Sequence, residues 1–145
     1  MRPGGYPKGV QARAWVEVDL AALWANYRLL AGRAGGEVIP VLKADAYGHG
    51  ALPLARFLEG KGVGRFAVAT LEEGRRLREG GIKGEVLLLG SLHPLEAEEA
   101  LRLGLVPTLS NLEAAEALSQ RARALGLVPR AHLKVDTGMN RVGFP

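Results

Sequence analysis

Cysteine is absent from this chain, which excludes disulfides, thiolate metal sites and a cysteine nucleophile. Long apolar runs are absent as well. The longest, such as Val86 to Leu89, are strand-sized and far short of the roughly 18 residues that cross a bilayer. The first ten residues hold three glycines, two prolines and no apolar segment, so they do not read as a signal peptide. These absences point to a soluble, cytoplasmic chain with no membrane partner and no metal site. What remains is ordinary for a globular protein: 48% hydrophobic and 23% charged residues, a balance that speaks against disorder. At 145 residues the length is about one domain's worth.

Acidic charge is also in short supply, and a net charge of +4 raises the question of nucleic acid. The distribution answers it. Arg2, Lys8 and Arg13 give residues 1–13 a charge of +3, leaving +1 for residues 14–145. A second basic stretch begins at Arg121, where Arg121, Arg123, Arg130, Lys134 and Arg141 face Asp136 alone. Nucleic-acid binders interleave a sustained basic face with stacking aromatics. Aromatics here are 6%, and none lies among the cations of that stretch until Phe144. A basic N-terminal arm over residues 1–13 plus a local anion site, with no nucleic-acid partner, fits better.

Short Val-, Leu- and Ile-rich runs alternate with segments of helical period. Strands are predicted at Val38 to Lys43, Arg65 to Ala69, Glu85 to Leu89, Val106 to Leu109 and Ala131 to Val135. They are nearly continuously apolar, as expected of parallel strands buried on both faces. Their centres lie 27, 20, 20 and 25 residues apart, room for one strand and one crossover helix each. Thr70 with Glu73 and Ser110 with Glu113 make two predicted capping boxes. Pro94 suits a first helical position before Leu95 to Leu103. Leu112, Ala115, Leu118, Ala122 and Leu125 form one apolar face, and Gly104 and Gly126 suit helix C-caps. Upstream, Ala14 to Val18 reads as an additional strand leading into a helix from Asp19 to about Ala31.

Five βα units allow a doubly wound sheet or part of a (β/α)8 barrel. A doubly wound sheet usually carries a glycine-rich turn after its first strand, whereas here the first strand ends in a lysine. In barrels the chemistry sits at the C-terminal strand ends. The expected fold class is therefore α/β, the N-terminal part (about five βα units) of a parallel TIM-type barrel, preceded by a short strand and helix. A complete barrel of this type runs to ~250 residues, so residues 14–145 are expected to be a truncated barrel with later strands missing.

The segment Leu42-Lys43-Ala44-Asp45-Ala46-Tyr47-Gly48-His49-Gly50 is the most informative. Lys43 is one of five lysines and ends an apolar strand. A partly desolvated amine at such a position can attack a carbonyl to form a Schiff base. Gly48 and Gly50 would let backbone approach a ligand closely, and Tyr47 could donate to a bound anion. The same residues also fit a lysine snorkelling to solvent before an ordinary turn, and the segment alone leaves both open. A second constellation runs from His132 to Gly143. Strand alternation would place His132, Lys134 and Asp136 on one face, normally a buried or barrel-interior one, with Arg141 on the loop beyond. A buried structural ion network around Lys134 and Asp136 fits that segment equally well. His93, before Pro94, belongs most simply to a turn.

Together the two segments resemble the bacterial alanine racemases, pyridoxal-phosphate enzymes of fold-type III. The first is similar, without departure, to their cofactor-attachment signature. His132-Leu133-Lys134-Val135-Asp136-Thr137-Gly138-Met139-Asn140-Arg141-Val142-Gly143 is similar to their second motif, and Ala14 to Leu20 to their usual opening. The resemblance implies that Lys43 would hold pyridoxal 5'-phosphate as a Schiff base and act as one of two proton-transfer bases. It implies that Tyr47 would contact the cofactor phosphate, and that Arg141 would lie near the cofactor's phenolic oxygen and bind the substrate carboxylate. It further implies that Lys134 would be carbamylated and buttress Arg141, with His49 and Asp136 as scaffold. The implied reaction is two-base interconversion of L- and D-alanine in a homodimer, supplying D-alanine for peptidoglycan. The second base, a tyrosine of the partner's C-terminal β-domain, has no counterpart in these residues. A racemase for another amino acid such as serine, or a pyridoxal-phosphate carrier without turnover, are the alternatives.

Overall fold

A computed structural model describes residues 14–145; the basic arm expected over residues 1–13 lies outside them. The chain divides into two compact units, one reaching Val38 and one beginning at Ile39.

In the first unit, helix α1 (Leu20–Ala34) starts where a carboxylate can satisfy its free N–H groups. Asp19 is extended, and its Oδ1 accepts from Ala21 N at 2.8 Å and Ala22 N at 3.0 Å. The helix runs one turn past the expected end, to Gly35, whose φ of 64° is the left-handed C-cap. Trp24 and Tyr27 stack with ring centroids 5.3 Å apart, and the Tyr27 hydroxyl donates to the Val38 carbonyl. The strand expected over Ala14 to Val18 is not formed. These residues join no ladder, and a lone extended segment has no hydrogen-bond partners to define it.

The second unit is a parallel sheet. Its strands β1 (Arg65–Val68), β2 (Glu85–Ser91), β3 (Val106–Leu109) and β4 (His132–Leu133) lie side by side in chain order. Between them run α3 (Ala51–Gly60), α4 (Leu71–Glu79), a 3-10 turn at Pro94–Glu96 leading into α5 (Ala97–Arg102), and α6 (Leu112–Leu125). A five-residue element α2 (Lys43–Tyr47) precedes them. Right-handed crossovers that always advance in one direction put the helices between these strands on the same side of the sheet. A doubly wound sheet would reverse its order partway. The fold class is α/β, with the sequential winding of the N-terminal portion of a barrel.

Two predicted strands shrink. Val38 to Lys43 becomes a single bridge, Val41 opposite Ala67, closed by Leu42 N to Ala67 O at 2.7 Å and Ala67 N to Pro40 O at 2.9 Å. Pro40 has no N–H and cannot extend the ladder, and Lys43 has already turned away into α2. Ala131 to Val135 becomes the two-residue β4, with both side chains exposed. It is the edge of the sheet, so burial on both faces does not extend to it. β1 and β3 do show the expected burial, with β3 buried throughout.

The core lies between sheet and helices, where Leu42, Leu58, Phe66, Val68, Leu77, Ile82 and Val86 are nearly solvent-free. The Thr70–Glu73 capping box is present at α4. The one expected at Ser110 and Glu113 is not. Asn111 caps α6 instead, accepting from Ala114 N at 2.8 Å, while the Ser110 hydroxyl is engaged by Ser91. The buried face of α6 is accordingly Ala114, Leu118 and Ala122, leaving Leu112 exposed. At the N-terminal ends of the strands, the half-buried Arg78 guanidinium donates to the carbonyls of Ile82, Gly84, Leu103 and Gly104. Burial pulls its pKa below the ordinary arginine value, with the nearby Glu59 opposing.

Close strand approach requires glycine at position 90, where a Cβ would stand 2.5 Å from the Ala69 carbonyl oxygen. That oxygen is fixed in the β1–β2 pairing by Gly90 N at 3.1 Å. Gly90→Ala is therefore expected to destabilise the chain by roughly 1–3 kcal/mol, the usual range for overpacking, read as a lower urea midpoint with an unchanged slope.

Candidate active site

Because the strands are parallel, their C-terminal ends all open on one edge of the sheet, and Lys43, Ser91, Ser110 and Asp136 lie along it. Lys43 follows the buried Leu42 directly. The next residues do not continue the strand. Ala44, Asp45, Ala46 and Tyr47 all have φ between 51° and 54°, so α2 is a left-handed turn built without glycine. Each L-residue in that conformation costs roughly 1–2 kcal/mol, so the turn persists because its surroundings hold it.

The holding contacts are specific. Ala46 is buried and its N–H donates to Leu42 O at 2.9 Å. Asp45 Oδ1 accepts from Ala51 N at 2.7 Å, and its carbonyl accepts from Gly50 N at 2.9 Å. His49 Nδ1 lies 2.8 Å from the Ala46 carbonyl. Glu73 Oε1 accepts from Ala44 N at 2.7 Å across 29 residues of sequence. Gly48 and Gly50, with φ of 86° and 87°, close the turn and release the chain into α3. Above this frame the Lys43 amine sits 5.8 Å from the centroid of the Tyr47 ring.

The donor set suits an aldehyde cofactor with an anionic tail. Among the described residues the Lys43 amine has no carboxylate partner, and the Tyr47 phenol is exposed with its hydroxyl unpaired. An amine free of an acid and a phenol free to donate are what covalent capture and phosphate contact need.

The second constellation forms a separate loop. Phe144 turns back to pair with Lys134 and Asp136, its N–H donating to Lys134 O and its carbonyl accepting from Asp136 N, both at 2.7 Å. Gly143 makes this possible, since a Cβ there would stand 2.6 Å from Asp136 N and its φ is 140°. Asp136 Oδ1 organises the loop by accepting from Gly138 N at 2.9 Å and Asn140 N at 3.0 Å. These N–H groups, Gly138's first, hold its carboxyl below the usual aspartate range. The expected buried face is not observed. His132 is exposed and Lys134 and Asp136 are half-buried, because β4 is a short edge strand. No ion pair joins Lys134, Asp136 or Arg141 among the described residues, so a buried ion network there is not observed either.

The structure thus brings Lys43 and Tyr47 together and sets Lys134, Asp136 and Arg141 apart. Three strands lie between the groups, about 19 Å along the sheet at 4.8 Å per strand. Sequence reasoning missed the roles of four residues of this edge: Asp45, Glu73 in its link to Ala44, and the hydroxyl pair Ser91 and Ser110. Glu73 and Ser110 carried a local signal, each as a member of a predicted capping box. His93 is the N-cap of the 3-10 turn, with Nδ1 accepting from Leu95 N at 3.3 Å.

A lysine-bearing turn at the C-terminal edge of a sequentially wound parallel sheet defines a barrel-type protein of the kind that carries its chemistry at strand ends. Residues 18–145 match the family described as alanine racemase, N-terminal domain, and the chain belongs to that family. It is 47% identical over 131 residues to the alanine racemase of Carboxydothermus hydrogenoformans, covering 90% of this chain and 36% of that protein. The solved alanine racemase from Bartonella henselae with covalently bound pyridoxal phosphate is 32% identical with a TM-score of 0.80, covering 88% of this chain and 36% of that one. A histidine racemase from Leuconostoc mesenteroides subsp. sake is 31% identical, also at a TM-score of 0.80, covering 87% of this chain and 34% of that one. The chain spans about 36% of the length of the curated relatives it matches.

The depressed pKa of Asp136 sets a pH dependence. A carboxylate held below its ordinary value contributes order that is fully present above about pH 4 and is lost as pH falls through the depressed value. The protection of the Gly138 and Asn140 amides, their exchange relative to the intrinsic rate at each pH, is expected to fall below that point in the wild-type chain. In Asp136→Asn exchange should be fast at neutral pH and show no such step.

Proposed function

We propose that residues 14–145 are the cofactor-anchoring part of a pyridoxal-phosphate-dependent amino-acid racemase, acting on alanine in the complete enzyme. The observation that carries this reading is the Lys43 amine, without a carboxylate partner among the described residues, on a left-handed turn at the C-terminal edge with the Tyr47 phenol beside it. Family membership supports alanine as substrate and an isomerase as the parent activity. In this reading Lys43 would hold the cofactor through Nζ, and the same amine would take or return the substrate's α-proton on one face. Tyr47 would donate its hydroxyl hydrogen to the cofactor phosphate. Arg141 binds the substrate carboxylate from the far edge once the sheet curves, and a carbamylated Lys134 would hold its guanidinium in place. The cofactor supplies an electron sink for the substrate carbanion; orientation and proton transfer fall to the protein.

Racemisation needs a second base on the opposite face. The described tyrosines are Tyr27 and Tyr47, one in α1 and one committed to the cofactor side. We assign the second base to a partner subunit in a homodimer. The cytoplasmic setting and the supply of D-alanine for peptidoglycan belong to the same reading. Substrate choice is where a second reading has support, since a histidine racemase superposes as well as alanine racemases do.

Two measurements test this. Pyridoxal phosphate followed by borohydride is expected to label Lys43 in preference to the other lysines, and Lys43→Ala to abolish that preference. Equal labelling in the variant would move the attachment site elsewhere and defeat the assignment. Separately, the 145-residue chain alone is expected to form no D-alanine at an enzymatic rate in a coupled oxidase assay. Lys43-dependent turnover by the chain alone would remove the need for a partner's base.

A further inference from the structure

We propose that Glu73 is a positioning residue for Lys43: its carboxylate fixes the peptide that follows the lysine and thereby aims the amine. The proposal rests on the reading of Lys43 given above and adds to it a residue from the neighbouring βα unit.

The hydrogen-bond distances separate this role from helix capping. A capping box needs one oxygen of Glu73 on the N–H of Thr70, and that contact is present but long, at 3.3 Å. The two short contacts lie outside the box. Oε1 accepts from Ala44 N at 2.7 Å, and Oε2 accepts from Ala69 N at 2.8 Å. One carboxylate therefore ties the end of β1 to the first peptide of the left-handed turn, with both oxygens in use. Charge-assisted bonds of this kind are the strong ones, and the start of α4 favours the negative charge.

The neighbouring acid shows the contrast. Glu72 is engaged by Arg75 and Arg76, whereas no cation pairs with Glu73 among the described residues. Its charge is spent on backbone N–H groups alone. The peptide it grips lies where restraint has most effect. Ala44 is the first of the four positive-φ residues of the turn, and among the described residues its N–H has no other acceptor. Without the carboxylate, that N–H is unpaired and the turn loses its tie to the adjacent strand. The direction of the Lys43 side chain follows from the same backbone.

The experiment uses the 145-residue chain with Glu73→Gln, Glu73→Asp and Thr70→Ala. Glutamine keeps one acceptor and presents an amide donor to N–H groups. Aspartate keeps the charge at the helix start but is one methylene too short to span both contacts. Thr70→Ala removes the reciprocal cap and leaves the carboxylate. Amide exchange, which needs no cofactor, should rise at Ala44 by about tenfold or more in Glu73→Gln, the loss of one hydrogen bond to a charged acceptor, and also rise in Glu73→Asp. Thr70→Ala should lower the melting temperature while leaving Ala44 protected. Borohydride trapping of pyridoxal phosphate at Lys43 should slow several-fold in the two Glu73 variants, with the other lysines unaffected.

Unchanged Ala44 exchange in a folded Glu73→Asp or Glu73→Gln chain overturns the proposal. So does equal deprotection by Thr70→Ala, and so does unslowed trapping at Lys43 in chains whose Ala44 has become exposed. If wild-type Lys43 is not trapped selectively, the cofactor reading fails while the exchange comparison still decides whether Glu73 holds the turn.

Discussion

Parallel pairing is the constraint on which the rest of this structure depends. Since β1 to β4 and the Val41 bridge all run the same way, each chain reversal needs a crossover helix, and each strand delivers its last residue to a common edge. Carbonyls, side-chain hydroxyls and the Lys43 amine collect there without any one element spanning the site. The opposite edge receives the strand beginnings, and there Arg78 answers four carbonyls with a single guanidinium. One edge is tied off by a guanidinium with four of its five donors in use; the other keeps an amine and a phenol that are unpaired among the described residues. That asymmetry separates scaffold from site.

The left-handed turn shows what an unpaired group demands of its support. Four residues at positive φ cost on the order of 4–8 kcal/mol if each carries the usual penalty, comparable to the whole stability of many domains. The compensation is distributed. Ala46 is packed into the core, Asp45 caps the start of α3, and the α4 capping residue reaches back to Ala44. Two helices and one strand thereby converge on five residues. A right-handed turn would allow the chain to continue more cheaply, but it would take Ala46 and the Ala44 N–H away from these partners.

Much of the fold was legible in the sequence because its signals are local. Apolar runs at twenty-residue spacing located β1, β2 and β3 to within two residues, and the Thr70–Glu73 box is where its spacing places it. The misreadings came from competition between neighbours. Ser110 and Asn111 are both good N-caps, and the choice fell to Asn111 because a long-range contact with Ser91 holds the Ser110 hydroxyl. Val38 to Lys43 looks like a strand by composition, yet Pro40 limits its ladder to one bridge. The site was less legible. Lys43 and Tyr47 stood out through a motif, but nothing in residues 43–47 announces a left-handed turn, since no glycine lies within it. Its partner Glu73 is 29 residues from Ala44, beyond the reach of any periodicity.

The two lysine-bearing loops differ in how firmly they are set, and the difference follows from burial. Lys43 rises from Leu42 and Ala46, both packed in the core, and its turn is held by the Glu73 side chain of α4 and by its own Asp45, which accepts from the first N–H of α3. The Lys134 to Arg141 loop rests on a two-residue edge strand. It is organised almost wholly from within, by Asp136, by the returning Phe144 and by glycines at 138 and 143. A group that must meet a small reactive carbon gains from a rigid mount. A group that grips a carboxylate by charge tolerates a looser one, because Coulombic attraction falls off gradually with distance. On the proposed roles of Lys43 and Arg141, the placement of the two loops follows that division: the amine stands on the packed end of the sheet, and the guanidinium stands on its open edge.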